Sequence, residues 1–146
     1  MQSPARDAAR GQDVRPSYVL DTDWVIDHFN GIEMITRRLE EFRPAGRALS
    51  VISLAELYDG VHYSHDPARS RAVLSRFLAG VTLLPVDEEV CNIFGRERGR
   101  LRQQGRTIGD FHLLIAATCL RHDLVVCTNN RRHFEMVESL RIVSAA

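Results

Sequence analysis

Acidic side chains occur in three separated segments of this 146-residue chain, each beside an apolar stretch. The segments are Leu20-Asp21-Thr22-Asp23, Ser53-Leu54-Ala55-Glu56-Leu57 and Ile108-Gly109-Asp110-Phe111-His112. Hard divalent cations such as Mg²⁺ prefer oxygen ligands, so carboxylates from distant segments can form a metal site once the chain folds. This distribution suggests such a site, with Asp21 and Glu56 as the leading candidates for ligands and Asp23 as a secondary one.

Each candidate residue also has a purely structural interpretation. An aspartate after a strand, such as Asp21, can cap the following helix, and Ser53 and Glu56 have the spacing of a capping box with Ser53 as the N-cap. Asp110 and His112 are two residues apart, so a regular helix would turn only one of them toward a pocket. Imidazole suits Mn²⁺ or Zn²⁺ better than Mg²⁺, and a single histidine is commonly a packed residue.

The apolar pattern predicts an α/β fold. Strand-length apolar runs alternate with amphipathic stretches of helix length, which is typical of parallel strands joined by crossover helices. The predicted strands are residues 18–20, 48–52, 81–84 and 124–127. The predicted helices are residues 24–29, 32–42, 54–63, 67–79, 88–104 and 111–120.

This fold would bring the candidate residues to one place. In an open parallel sheet the functional crevice lies beyond the carboxyl ends of the strands. Asp21 follows one strand, and Thr128 and Asn130 follow another. Glu56 and the Asp110 region would reach the same edge from the starts of helices. The neutral Thr128 and Asn130 could orient a ligand, or they could serve only as turn residues.

Length and composition favour one domain. With 45% hydrophobic residues, the chain has the size of a single core, which we place at residues 17–146 after a flexible tail of residues 1–16. No apolar run approaches the roughly 20 residues of a membrane span, and the amino terminus lacks the apolar region of a secretory signal. We therefore expect a cytoplasmic protein without a membrane segment.

The basic residues are concentrated in one stretch, although the formal net charge is zero. Five arginines lie within eleven residues and are opposed only by Glu97: Arg96, Arg98, Arg100, Arg102 and Arg106. Guanidinium groups bind phosphates in a bidentate manner, so these residues are candidates for RNA contact. A solvated helix face is the structural alternative.

Taken together, these motifs resemble those of PIN-domain proteins, in particular the VapC toxins of bacterial type II toxin–antitoxin pairs. The resemblance covers residues 18 to about 143 and rests on the three acidic segments, on Leu113-Leu114-Ile115-Ala116-Ala117 and on Cys127-Thr128-Asn129-Asn130 before Phe134. It implies a PIN-like three-layer fold, with a central parallel sheet flanked by helices.

The resemblance also implies which residues form the site. Asp21 and Glu56 match the first two acids of the family, with Thr22 and Asp23 beside the first, and Asn130 matches a fourth position that is variably acid or amide. His112 stands where the third acid is expected, and Asp110 could substitute only in part. The implied site is therefore degenerate or inactivated, whether by natural divergence or by design.

The resemblance implies an endoribonuclease that uses Mg²⁺ or Mn²⁺. It also implies that the protein is a toxin, that a VapB-like antitoxin inhibits it, and that it forms a homodimer. Its activity in this exact chain should be reduced, because His112 cannot replace a charged oxygen ligand. One alternative is a catalytically silent module that binds RNA or antitoxin without cleavage. A receiver-like domain with a phosphorylated aspartate is disfavoured, because all basic residues are arginine and such sites usually contain a lysine.

Overall fold

Five short strands form one parallel sheet in the computed structural model, which describes residues 15–145. The strands are β1 (Tyr18–Leu20), β2 (Arg47–Ser50), β3 (Thr82–Leu84), β4 (Val125–Cys127) and β5 (Ile142–Val143). Their order across the sheet is β3-β2-β1-β4-β5. The second and third strands are added on one side of β1, whereas the last two are added on the other. The junction between β1 and β4 is therefore a topological switch point, where parallel sheets commonly bind ligands.

Helices occupy the connections between the strands. They are α1 (Thr22–Phe29), α2 (Glu33–Phe42), α3 (Val51–Tyr63), α4 (Pro67–Leu78), α5 (Glu88–Gln103), α6 (Asp110–His122) and α7 (Arg131–Phe134), and a 3₁₀ turn spans Arg43–Ala45. Within residues 15–145, none of these helices combines the length and apolar character needed to cross a membrane.

The core has two apolar halves, one on each face of the sheet. Successive side chains of a strand point to opposite faces, and the contacts follow this rule. Val19 and Ala48 pack with residues of α5 and α6, whereas Leu20 and Leu49 pack with residues of α1, α2 and α3. The predicted three-layer α/β fold with a parallel sheet is confirmed.

Most predicted elements are present, with differences at their ends. Strand β2 ends at Ser50 rather than at residue 52, because the Ser50 hydroxyl accepts a hydrogen bond from the Ile52 N–H at 3.1 Å and starts α3. The short elements β5 and α7 were not predicted. The predicted tail of residues 1–16 lies outside the described residues, except for Arg15 and Pro16.

Candidate active site

Asp21 and Thr128 lie side by side at the switch point. Leu20 of β1 pairs with Cys127 of β4, so the residues that follow them leave the sheet as neighbours. The Asp21 N–H donates to the Cys127 carbonyl at 2.9 Å, and the Thr128 hydroxyl donates to Asp21 Oδ2 at 2.7 Å. The structure therefore places Thr128 in direct contact with the first candidate acid, in a position to orient its carboxylate.

Asp21 is both a helix cap and a buried acid. Its Oδ1 accepts a hydrogen bond from the Thr22 N–H at 2.8 Å, at the start of α1. The residue is only 1% exposed, and this burial raises its pKa; the Thr128 hydrogen bond opposes the rise, whereas the charge of Asp23 adds to it. A buried carboxylate in this environment would gain from a cation beside it.

Thr22 connects Asp21 to Glu56. The Thr22 Oγ1 atom lies 2.7 Å from Glu56 Oε1 and 2.8 Å from Ser53 Oγ. Because an ionised carboxylate can only accept, the Thr22 hydroxyl donates to Glu56. Asp21 thus binds the backbone N–H of Thr22 while Glu56 binds its hydroxyl, which brings these two predicted ligands to the same residue.

The capping-box interpretation of the second segment is wrong. Ser50, three residues earlier than predicted, is the N-cap of α3. Ser53 is the buried third residue of the helix, and its hydroxyl meets Thr22 instead of a free N–H group. Glu56 is therefore free to face the switch point.

His112 lies in the first turn of α6, near enough to Asp21 for a charge interaction. Its imidazole packs against His133, with 5.1 Å between ring centroids, and against the edge of Phe134 at 5.5 Å. Burial raises the pKa of Asp21, and the interaction with His112 is one of the smaller effects that oppose this rise. His133 also contacts the Asn130 side chain at 2.9 Å. His133 therefore connects His112, at the third family position, with Asn130, at the fourth. The sequence analysis did not select His133.

Asp110 is engaged elsewhere. Its carboxylate forms an ion pair with Arg98, whose Nη1 also donates to the Ile108 carbonyl at 2.9 Å, and it makes no hydrogen bond with Asp21 or Glu56. Its side chain is 75% exposed. The structure thus gives no support to Asp110 as a substitute for the missing acid, since a guanidinium already neutralises it.

Two side chains of the arginine stretch are held by contacts within the protein, and three are exposed. Arg98 is held by Asp110, and Arg100 donates to Glu97 and to the Met136 carbonyl. The remaining three residues are exposed: Arg96, whose Nε lies 3.8 Å from Glu97 Oε2, and Arg102 and Arg106, which form no ion pair among residues 15–145. The RNA contact of the five arginines stays a prediction, and these three side chains are the most accessible for it.

The donor set at the switch point suits a hard cation. Asp21 and Glu56 supply carboxylate oxygens, and Thr22, Ser53 and Thr128 supply hydroxyls around them. Within residues 15–145, no three His, Cys, Asp or Glu side chains are grouped closely enough to hold a metal ion. Mg²⁺ is commonly bound through one or two carboxylates with water completing its shell, so two acids are compatible with it.

An acidic groove adjoins Glu56. It has a volume of about 570 Å³ and is lined by Asp23, Glu56, Asp59 and the exposed Phe111, among others. Asp59 and Phe111 were not selected from the sequence as site residues. Asp59 could have been found, because it lies three residues after Glu56 and so shares its helix face.

Comparison with known proteins finds a family, sequences and solved structures that are similar to this chain. The PIN domain family model matches residues 18–139. Ribonuclease VapC2 of Haemophilus influenzae is 35% identical over 127 residues, which cover 85% of this chain and 94% of that protein. The tRNA(fMet)-specific endonuclease VapC of Shigella flexneri is 31% identical over 124 residues, with the same shares covered. The crystal structure of DNA-bound VapBC from Salmonella typhimurium matches with a TM-score of 0.83 and 30% identity, covering 89% of this chain and 98% of that one. The chain therefore belongs to the PIN-domain family and is a VapC-like member of it.

Proposed function

We propose that this chain is a metal-dependent endoribonuclease toxin that acts in the cytoplasm and whose site is weakened by His112. The observation that carries the proposal is the arrangement of Asp21 and Glu56 around Thr22, next to Thr128, at the topological switch point. The relatives are named ribonucleases and endonucleases, which supports the same class of reaction.

Asp21 and Glu56 would hold the cation, which we take to be Mg²⁺ or Mn²⁺. When bound, such an ion activates a water molecule and acts as a Lewis acid toward the attacked phosphate. Thr128 and the Thr22 N–H fix the orientation of the Asp21 carboxylate, and the Thr22 hydroxyl does the same for Glu56. Because these groups are held before substrate arrives, little reorganisation is needed during the reaction.

His112 would weaken this site. An imidazole offers one nitrogen donor instead of a charged oxygen pair, and it is a poor ligand for Mg²⁺. Its packing against His133 and Phe134 also holds the ring in place. We therefore expect this chain to bind Mg²⁺ less tightly than a version with an acid at this position, and to depend more on Mn²⁺.

A silent binding module is the second candidate. It is favoured by one observation, that within residues 15–145 no three ligand-type side chains are grouped for a metal. Such a module would retain the acidic groove and the exposed Arg96, Arg102 and Arg106 for binding antitoxin or RNA, without turnover.

The partner we propose is a VapB-like antitoxin, with the chain itself forming a homodimer. Structures similar to this one include VapBC complexes from Salmonella typhimurium and from nontypeable Haemophilus influenzae. The acidic groove with its exposed apolar residues Ile26 and Phe111 offers a surface for such a partner.

Replacing His112 with aspartate tests the proposal. The variant His112→Asp should cleave RNA at least about tenfold faster than the original chain in Mg²⁺, because a charged oxygen ligand is regained. An acid in the first turn of α6 also suits the helix dipole, so the variant should fold normally. Cleavage of a labelled RNA is measured with Mg²⁺, with Mn²⁺ and with a chelator.

Two further variants serve as controls. His65→Asp makes the same change of charge at an exposed histidine and should leave activity unaltered, whereas adding Glu56→Gln to His112→Asp should abolish the gain. Equal activity of the original chain and His112→Asp would reject the role given to His112. Absence of metal-dependent cleavage by both proteins, with RNA or antitoxin binding retained, would favour the silent module.

A further inference from the structure

A second cavity lies at the opposite end of the sheet from Asp21. Its volume is about 560 Å³, and its lining includes His28, Arg43, Arg47, Arg76 and Phe77. Arg47 is the first residue of β2, and Gly80, which also lines the cavity, lies just before β3. The cavity therefore opens at the amino ends of these strands, whereas the candidate active site lies at the carboxyl ends.

Arg47 is a buried cation whose hydrogen bonds go to backbone carbonyls. The residue is only 4% exposed. Its Nη2 donates to the Gly80 carbonyl at 3.1 Å and its Nη1 to the Leu39 carbonyl at 3.4 Å, while its Nε has no partner. Carbonyls satisfy hydrogen bonds but do not neutralise charge, and within residues 15–145 no carboxylate forms an ion pair with Arg47. A buried charge of this kind is costly unless an anion pairs with it.

The other charges around the cavity do not balance. Glu40 is the acid among its described lining residues, and both of its oxygens already accept hydrogen bonds from Arg43, at 3.0 and 3.2 Å. Arg76 forms no ion pair within residues 15–145. Arg47 and Arg76 therefore leave about two positive charges uncompensated at the cavity.

The guanidinium groups of Arg43 and Arg47 converge on Gly80. A Cβ atom built there would lie 2.9 Å from Arg47 Nη2 and 3.4 Å from Arg43 Nη1. Phe77 forms part of the wall, 5.8 Å from the Arg47 guanidinium, and its ring meets the edge of Phe29. The cavity thus combines several guanidinium donors with an aromatic wall.

We propose that this cavity binds the phosphate group of a small anion, either inorganic phosphate or a mononucleotide. Guanidinium groups match the geometry of phosphate oxygens and form charge-assisted hydrogen bonds with them. In a mononucleotide, Phe77 and His28 would contact the base. This site is separate from the proposed nuclease site and does not depend on it.

Titration with three compounds tests the proposal: inorganic phosphate, adenosine 5′-monophosphate and adenosine. Calorimetry on the full chain, at constant ionic strength with a chelator present, avoids binding through divalent cations. Arg47→Gln removes a buried group and could unfold the protein, so Arg76→Gln is the test variant. Arg71→Gln is its control, because Arg71 lies on the same helix but stacks over Tyr58 and does not line the cavity.

We expect the two phosphate compounds to bind and adenosine not to bind. Arg76→Gln should weaken both interactions about tenfold, the loss typical of one charged hydrogen bond, while Arg71→Gln should not. If adenosine 5′-monophosphate binds more tightly than inorganic phosphate, the ligand is a mononucleotide. If the two bind equally, the ligand is inorganic phosphate. No saturable binding by the original chain, or equal weakening by Arg71→Gln and Arg76→Gln, would overturn the proposal.

Discussion

The Asp21 carboxylate, the first candidate metal ligand, also affects the stability of the fold. Its carboxylate is held by the Thr22 N–H and the Thr128 hydroxyl, yet burial raises its pKa. When the pKa of an acid is higher in the folded state than in the unfolded state, its protonation stabilises the fold. For an aspartate this contribution is complete below the unfolded pKa of about 3.9, and it is lost as pH rises through the folded pKa. Above that folded pKa the metal-free protein therefore holds a buried negative charge that costs stability.

The variant Asp21→Asn should be more stable than the original chain at pH 7 in a chelator. The amide keeps the shape and can still cap α1, but it carries no charge to bury. The difference in melting temperature should shrink as pH falls, because the carboxyl, whose pKa is raised by burial, then takes up a proton and loses its charge. Thermal unfolding monitored by circular dichroism at several pH values measures it.

A matched substitution separates this effect from a general loss of negative charge. Asp59→Asn removes a charge from an exposed position on α3 and should not reproduce the pH-dependent gain. If Asp21→Asn instead lowered the melting temperature equally at pH 7 and pH 4, the burial of an uncompensated charge would be contradicted.

Individual site residues were predictable where the family motif or the strand ends pointed to them. Asp21, Glu56 and Thr128 were selected from the sequence, and the structure joins Asp21 and Glu56 through Thr22 and places Thr128 against Asp21. The engagement of Asp110 by Arg98 was not predictable, because these residues are twelve positions apart and their contact depends on how α5 and α6 pack. His133 was missed because its role depends on the neighbouring ring of His112.

At the scale of elements, the start of α3 sets the direction in which its side chains face. Ser50 caps this helix, which places Ser53 and Glu56 against Thr22 of α1. Had the helix begun at Ser53, Glu56 would have been occupied in closing its own first turn. The correct cap is therefore a condition for the proposed metal ligand.

Replacing Ser50 with alanine should lower the free energy of unfolding by about 1 kcal/mol, the usual cost of losing an N-cap. The loss arises because the Ile52 N–H would lose its acceptor in a partly buried position. Urea denaturation measures the change. Ser75→Ala, at an exposed position inside α4, should have a much smaller effect; equal effects of the two substitutions would contradict the assignment of Ser50 as the cap.

Helices and buried strands were largely predictable because local signals mark them. Asp66 followed by Pro67 predicted the start of α4, and the Asp66 side chain does accept from the Arg69 N–H. The strand β5 has only two residues and is half-buried, so it carries too little apolar pattern to be predicted. The helix α7 has four residues, three of them polar, and was missed for the same reason.

At the scale of the whole molecule, the strand order creates the site. Strand β1 lies between β2 and β4. This position brings residues 21, 56 and 128, which are far apart in sequence, to the carboxyl end of the sheet. A parallel α/β pattern predicts such an edge but does not specify which strands are neighbours, since that depends on long-range pairing. The resemblance to PIN domains implied a central parallel sheet but no strand order, so the pairing of β1 with β4 is known from the structure alone.

The convergence of Asp21 and Glu56 on a divalent cation is the central claim, and a crystal soaked in Mn²⁺ tests it most directly. An anomalous difference map should show a peak beside the carboxylate oxygens of Asp21 and Glu56, and His112→Asp should strengthen that peak. Asp21→Asn should remove it. The claim is contradicted if both the original chain and His112→Asp show no manganese between these two carboxylates.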